Sequence, residues 1–235
     1  MIWAFGVSLP VIFINGSPAA SSPAVGAAGD IVGVILFVIG LVTQTVADLQ
    51  KDAFRSSPDS RGRACTVGLW GWSRHPNFFG EMLMWWGAFV LASPSFGPSA
   101  ALNSTFGWGA ATVISPLLTF AILMFLSGMP TAEGDNQKRY MRTRRARDEF
   151  VAYRERTSPV VPLPPPLYKA LPGWAKAVFL FEWPIYATSW DVVEEAPAAP
   201  RASASGKDAS GADGFQARAA VPQAEQPPPP PPPAE

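Results

Sequence analysis

The chain has one cysteine, Cys65, which excludes an intrachain disulfide and any zinc site that needs several thiolates. Histidine is equally scarce, with His75 alone. Positive charge is missing from long stretches: no Lys or Arg precedes Lys51, and none lies between Arg74 and Lys138. Between Glu81 and Glu133 there is no charge of either sign. An uncharged stretch of that length is hard to keep in a soluble fold and easy to keep in a bilayer, where a spanning helix needs about 20 apolar residues. The start, MIWAFGVSLPVIFIN, lacks the basic region of a secretory signal and reads as the remnant of a spanning helix. No metal site, nucleic-acid partner or internal repeat is expected. The averages hide this organisation, because 18 basic and 18 acidic residues cancel over 235 residues that are 48% hydrophobic.

What is present is segregated. Four apolar segments stand out, at Ile2 to Ile14, about Val25 to Val46, about Asn77 to Ala92 and about Gly109 to Ser127. The connections at Asn15 to Pro23 and Ser93 to Gly107 are rich in Gly, Pro, Ser and Asn, which is turn chemistry. Ala47 to Arg74 differs in being polar and basic. The positive-inside rule places that loop and the Lys138 to Arg156 segment in the cytosol, and the uncharged Ser93 to Gly107 loop on the other side. The basic residues after Ser127 form a helical stretch closed by the proline cluster Pro159 to Pro166. Leu171 to Trp190, aromatic and interrupted by Pro172 and Pro184, suits an interface. From Asp191 to Glu235 the composition turns to Ala, Pro, Ser, Gly and Gln, and this tail is expected to be disordered. The expected fold is therefore all-α, a multi-pass transmembrane bundle over 1–190 with a cytosolic extension and a disordered tail over 191–235.

Three polar clusters sit at the cytosolic ends of these segments. In QTVADLQKDAFR, Gln44, Asp48, Lys51 and Arg55 share one helical face. A solvated helix end with a local ion pair has the same pattern. In GLWGWSRHPNFFGEMLMWWG, Arg74 and His75 precede Pro76, which suits a first helical position, and Asn77 and Glu81 lie one turn apart. Glu81 falls inside a membrane-bound segment, where a carboxylate is costly unless paired, so it is a functional candidate with Arg74, Arg55 or Lys51 as partner. The third cluster is the basic stretch ending in YRERTSPVVPLPP. It suits phosphate recognition by arginine or, equally, anionic lipid headgroups.

GLWGWSRHPNFFGE, preceded by the Gln-x3-Asp-x2-Lys pattern and followed by SGMPTAE and YRERTSPVVPLPP, resembles the steroid 5-alpha reductase-like domain family, especially its plant and algal members. The resemblance covers roughly Val7 to Trp190. It implies an NADPH-dependent reductase of a carbon-carbon double bond in a steroid-like or other lipid, in the endoplasmic reticulum or another internal membrane. Carried over residue by residue, it implicates Gln44, Asp48, Lys51, Arg55, Arg74, Asn77, Glu81 and Arg156 around NADPH. His75 and Tyr153 are the expected proton donors, because Phe78 stands where relatives have tyrosine. No residue matches the substrate-polarising Tyr and Glu that relatives draw from helices before this domain. The expectation is either a truncated chain or a form that binds cofactor without efficient chemistry. Two other classes remain open. One is a membrane methyltransferase similar to isoprenylcysteine carboxyl methyltransferase. The other is a non-catalytic membrane protein that offers its proline-rich tail to SH3, WW or profilin-type partners.

Overall fold

A computed structural model describes residues 2–16, 25–96 and 108–187. The expected disorder of the tail, the end of the aromatic stretch at Trp190 and most of the Ser93 to Gly107 loop lie outside the described residues. Among those described, every regular element is helical and no strand forms, as expected of an all-α chain. The apolar start makes two short helices, α1 (Ile2–Val7) and α2 (Leu9–Gly16), broken just before Pro10.

Helix α3 (Ala28–Ser56) is longer than the apolar segment that announces it. Asp30 tethers its start by accepting from the Gly26 and Ala27 amides at 2.9 and 3.0 Å. Its polar end continues as helix because no breaker intervenes until Pro58. At 29 residues it spans about 43 Å, more than a hydrocarbon core. Its most apolar 18 residues have a mean hydropathy of 2.1, yet only 17% of them are buried, leaving Ile31, Val34, Ile35, Val38, Leu41 and Val42 exposed. The stretch Gly109–Tyr140 is also long and apolar enough to cross a membrane.

Helix α4 (Pro76–Ala92) packs on α3 at backbone distance. Gly33 and Gly40 of α3 meet Gly87 and Gly80 of α4, each seven residues apart, so two glycine pairs interlock. A Cβ at Gly80 would stand 2.6 Å from the Gln44 amide nitrogen and 2.7 Å from the Gly40 carbonyl oxygen. Gly80→Ala gains about 1 kcal/mol of helix propensity but overpacks against backbone that cannot give way, at about 1–3 kcal/mol. Net destabilisation of up to about 2 kcal/mol is expected in chemical denaturation, and a midpoint raised by the full helix-propensity gain would show that the helices are not in backbone contact.

The fourth apolar segment is not one α-helix. It comprises α5 (Trp108–Ala111), α6 (Ile114–Ala121) and a π turn over Ile122–Leu126, with the Ser127 amide bonded to the Ile122 carbonyl at 2.9 Å. The basic stretch is also divided. After α7 (Met129–Ala132), Gly134 adopts a φ of +63°, turning the chain into a 3₁₀ helix over Gly134–Tyr140. Helix α8 (Arg144–Arg156) then starts afresh because Thr143 caps it, its hydroxyl accepting from the Ala146 amide at 3.2 Å. Two short helices follow, α9 (Pro165–Ala170) and α10 (Gly173–Leu180). The segment after α8 lies along the chain just before α4: Arg74 donates its amide to Ser158 at 2.8 Å, and Ser73 its hydroxyl to Val160 at 2.6 Å. Met82, Leu123, Met124, Met129, Val160 and Tyr186 form the main core beside this seam.

Candidate functional site

The seam places four charges in a closed ring. Glu133, 1% exposed at the end of α7, meets Arg74 Nη1 and Arg154 Nη1, each at 3.4 Å. Glu182, after α10, receives Arg74 Nη2 at 2.9 Å on both carboxylate oxygens and Arg154 Nη2 at 3.6 Å. Arg154 also donates to Gln137, and the Tyr168 hydroxyl donates to Glu182 at 2.5 Å. Two guanidinium cations and two carboxylates thus alternate, with no net charge. That neutrality is what permits such a group in the interior.

His75 hangs from this ring. Its Nε2 lies 2.8 Å from Glu133 Oε1, its ring stacks on Phe78 with centroids 5.1 Å apart, and it is 7% exposed. A carboxylate facing two arginines is an acceptor, so Nε2 carries the proton and Nδ1 the lone pair. Burial pushes the His75 pKa below its ordinary value, against the upward pull of Glu133. Tyr153 is buried too, and its hydroxyl donates to the Trp70 carbonyl at 2.7 Å. Burial raises that phenol well above the usual range. Both expected proton donors are therefore engaged inside the protein.

The remaining expected residues fall into two groups. Lys51 and Arg55 turn into a cleft of about 370 Å³ with Arg61, Arg63, Arg139 and Arg142. Six cations line this cleft, and among the described residues no carboxylate does. Its wall is held by the loop after α3: Trp70 Nε1 donates to the Ala47 carbonyl at 2.8 Å, the Leu69 amide to Gln50 at 2.9 Å, and Lys51 Nζ sits 4.3 Å over the Trp70 ring. A second cleft of about 300 Å³ shares Gly62, Arg63 and Tyr140 with the first and is lined by Tyr153 and Arg156. A small cavity of about 50 Å³, sharing Lys51, Cys65, Arg139 and Tyr140, joins the basic cleft to Arg74, His75 and Glu133.

Asp48, Asn77 and Glu81 make up the second group, where α3 meets α4. The Asn77 side chain lies close to the Asp48 carboxylate, and Glu81 feels the negative charge of Asp48. Gln44 contributes its backbone to the Gly80 contact. Glu81 lines a separate pocket rather than the basic cleft, and makes no ion pair among the described residues. The expectation that Arg74, Arg55 or Lys51 would pair with it is therefore not met: Arg74 is committed to Glu133 and Glu182.

Sequence reasoning missed Glu133, Gln137, Arg154, Tyr168 and Glu182 as site residues. Glu133 carries a signal, being the first charge after a long uncharged stretch. The others carry none, because their partners are distant in sequence.

Among curated proteins the chain is 30% identical over 86 residues to a probable O-methyltransferase, ustE, of Ustilaginoidea virens. The match covers 37% of this chain and 30% of the length of that protein. No solved structure matches the chain. The match to a family model, over residues 1–157, takes in α1 to α8, the basic cleft and the His75–Glu133 pair but not α9, α10 or Glu182: the chain belongs to the family described as Protein of unknown function (DUF1295).

Proposed function

We propose that the chain is a multi-pass membrane reductase that binds NADPH in the basic cleft and reduces a carbon-carbon double bond of a lipid. The observation that carries this reading is the cleft on which six cations converge. A dinucleotide brings a diphosphate and NADPH adds a 2′-phosphate, and clustered guanidinium groups are the side chains that recognise both. The adjoining cleft with Tyr140 and Arg156 provides room for an extended molecule. Membrane placement is supported by the exposed apolar flanks of α3 and by glycine-mediated packing against α4, the means by which helices associate where burial from water gives no drive.

When bound, the reduced nicotinamide supplies a hydride. The chain's own residues hold the phosphates and orient His75 through Glu133. Both expected donors line the joining cavity, and His75 is the better placed because the Tyr153 hydroxyl is spent on a backbone carbonyl. A proton taken up at Nδ1 would add one positive charge beside the neutral ring, and burial and Arg74 both favour its release, so it is this proton that His75 would pass on.

The relative named as an O-methyltransferase favours a second reading, transfer of a methyl group from S-adenosylmethionine. That donor has no phosphate and carries a sulfonium cation, which six cations would repel. Isotope transfer separates the readings. Membranes containing the protein, given NADPH deuterated at the nicotinamide C4, are expected to place deuterium in an extracted lipid. Label from methyl-labelled S-adenosylmethionine in the lipid instead would overturn the reductase reading.

A further inference from the structure

The ring beside His75 divides its hydrogen bonds unevenly. Arg74 Nη2 donates to both carboxylate oxygens of Glu182 at 2.9 Å, whereas Arg74 Nη1 only faces Glu133 Oε2, at 3.4 Å. Arg74 Nη1 and Glu133 Oε2 are both buried, and neither makes a hydrogen bond to the protein. The hydrogen bond of Glu133 goes to His75 instead, through Oε1 at 2.8 Å. Glu182 thus takes the side-chain hydrogen bonds of Arg74, and Glu133 keeps its own for the imidazole. The place of Glu182 is itself fixed. The Tyr168 hydroxyl donates to its carboxylate at 2.5 Å, and its amide donates to the Lys176 carbonyl at 3.1 Å. Phe181, just before it, ends α10 with a φ of +61°, a left-handed conformation that a side chain makes costly and that persists only where the surroundings impose it.

We propose that Glu182 is a positioning residue for His75: by occupying Arg74 it leaves the Glu133 carboxylate to hold the imidazole Nε2–H. The line of contact runs from Tyr168 and Glu182 through Arg74 and Glu133 to the imidazole. Without the Glu182 carboxylate, Arg74 turns to Glu133. A guanidinium, charged and able to bond through two N–H groups, outcompetes a neutral imidazole N–H for a carboxylate. His75 then loses the acceptor that fixes its tautomer. The charged groups acting on His75 are Glu133 at the end of α7, Arg74 beside it and Lys51 from α3, so Glu133 is what offsets two cations there. Tyr168 and Glu182 lie beyond residues 1–157, which match the family, so the C-terminal segment of the chain completes a site that the family region begins. The inference rests on the membrane reductase reading, in which His75 gives the proton, and adds the residues that keep it in one tautomer.

His75 is the only histidine in the chain, so nitrogen NMR of the full chain in lipid nanodiscs, made with isotope-labelled histidine, reports on it alone. The unaltered protein is expected to show the Nε2–H tautomer. In Glu182→Gln, which keeps the shape and removes the charge, His75 is expected to titrate about one pH unit lower and to mix its tautomers. Glu182→Asp keeps the charge but falls one methylene short of Arg74, and the tautomers are expected to mix there too, which separates reach from charge. Tyr168→Phe leaves every charge in place and only loosens Glu182. It is expected to move His75 the same way by a smaller amount, and it decides the matter where tryptophan fluorescence shows the Glu182 variants unfolded. His75 signals unchanged in Glu182→Gln, restored in full by Glu182→Asp, or, with those variants unfolded, unchanged in Tyr168→Phe, would overturn the inference and leave the reductase reading intact. NADPH binding is followed on the same samples. A His75 tautomer that depends on Glu182 in a protein that never binds NADPH would support the positioning and sink the reductase reading alone.

Discussion

Replacing Glu133 by alanine is expected to destabilise the protein by about 3–5 kcal/mol, because it leaves two buried guanidinium groups facing one carboxylate. The ring of Arg74, Glu133, Arg154 and Glu182 is neutral as it stands, and it joins the start of α4, the end of α7, α8 and the segment after α10. Glu133→Gln keeps the shape and an acceptor for His75, so it isolates the charge. It too should be severe, since Arg74 loses its carboxylate at 3.4 Å and is only 4% exposed. The diagnostic result is a rescue. Adding Arg154→Met to Glu133→Gln restores charge balance and should return part of the lost stability, a coupling that two independent sites would not show. Tryptophan fluorescence during denaturation reports both, through Trp70 and Trp183. A loss below about 1 kcal/mol for Glu133→Ala, or strict additivity of the pair, would mean that the ring is not a unit.

The helices were legible in the sequence and the ring was not. The apolar segment at Asn77 to Ala92 became α4 almost residue for residue, because His75-Pro76 marks a helix start and Ser93-Pro94 its end. The apolar segment at Val25 to Val46 stops short of the helix, and its continuation was legible instead in the shared helical face of Gln44, Asp48, Lys51 and Arg55: that stretch is polar without being helix-breaking, and hydropathy reads only the first of those properties. Gly109 to Ser127 read as one span, and its turn at Thr112-Val113 and its π turn leave no mark in an apolar pattern. The single helix expected through the basic stretch missed Gly134 and the cap at Thr143, both of which are local signals. Arg74 and Glu182, by contrast, meet across 108 residues, and no periodicity can pair side chains at that separation. The same limit explains Glu81. Spacing put it on one face with Asn77, as found, but could not say that the face turns toward Thr119 rather than the basic cleft.

Arg61 and Arg142 come from the loop after α3 and the turn before α8, and both border the basic cleft on its exposed side. Neither belongs to the buried ring, so reversing their charge should leave folding intact while removing phosphate contacts. Each charge-assisted contact contributes roughly 1.5 kcal/mol, so Arg61→Glu with Arg142→Glu should weaken NADPH binding about 100-fold. The loss should shrink as salt rises, because exposed charges are screened. NADH, lacking the 2′-phosphate, should bind more weakly than NADPH to the unaltered protein and suffer less from the double reversal.

Equilibrium binding of NADPH and of S-adenosylmethionine to the full chain in lipid nanodiscs, with and without Arg61→Glu and Arg142→Glu, tests the assignment of the basic cleft most directly. Saturable NADPH binding that the double reversal weakens about 100-fold, with no comparable binding of S-adenosylmethionine, is the expected result. Tighter binding of S-adenosylmethionine, or NADPH binding indifferent to both reversals, would contradict it.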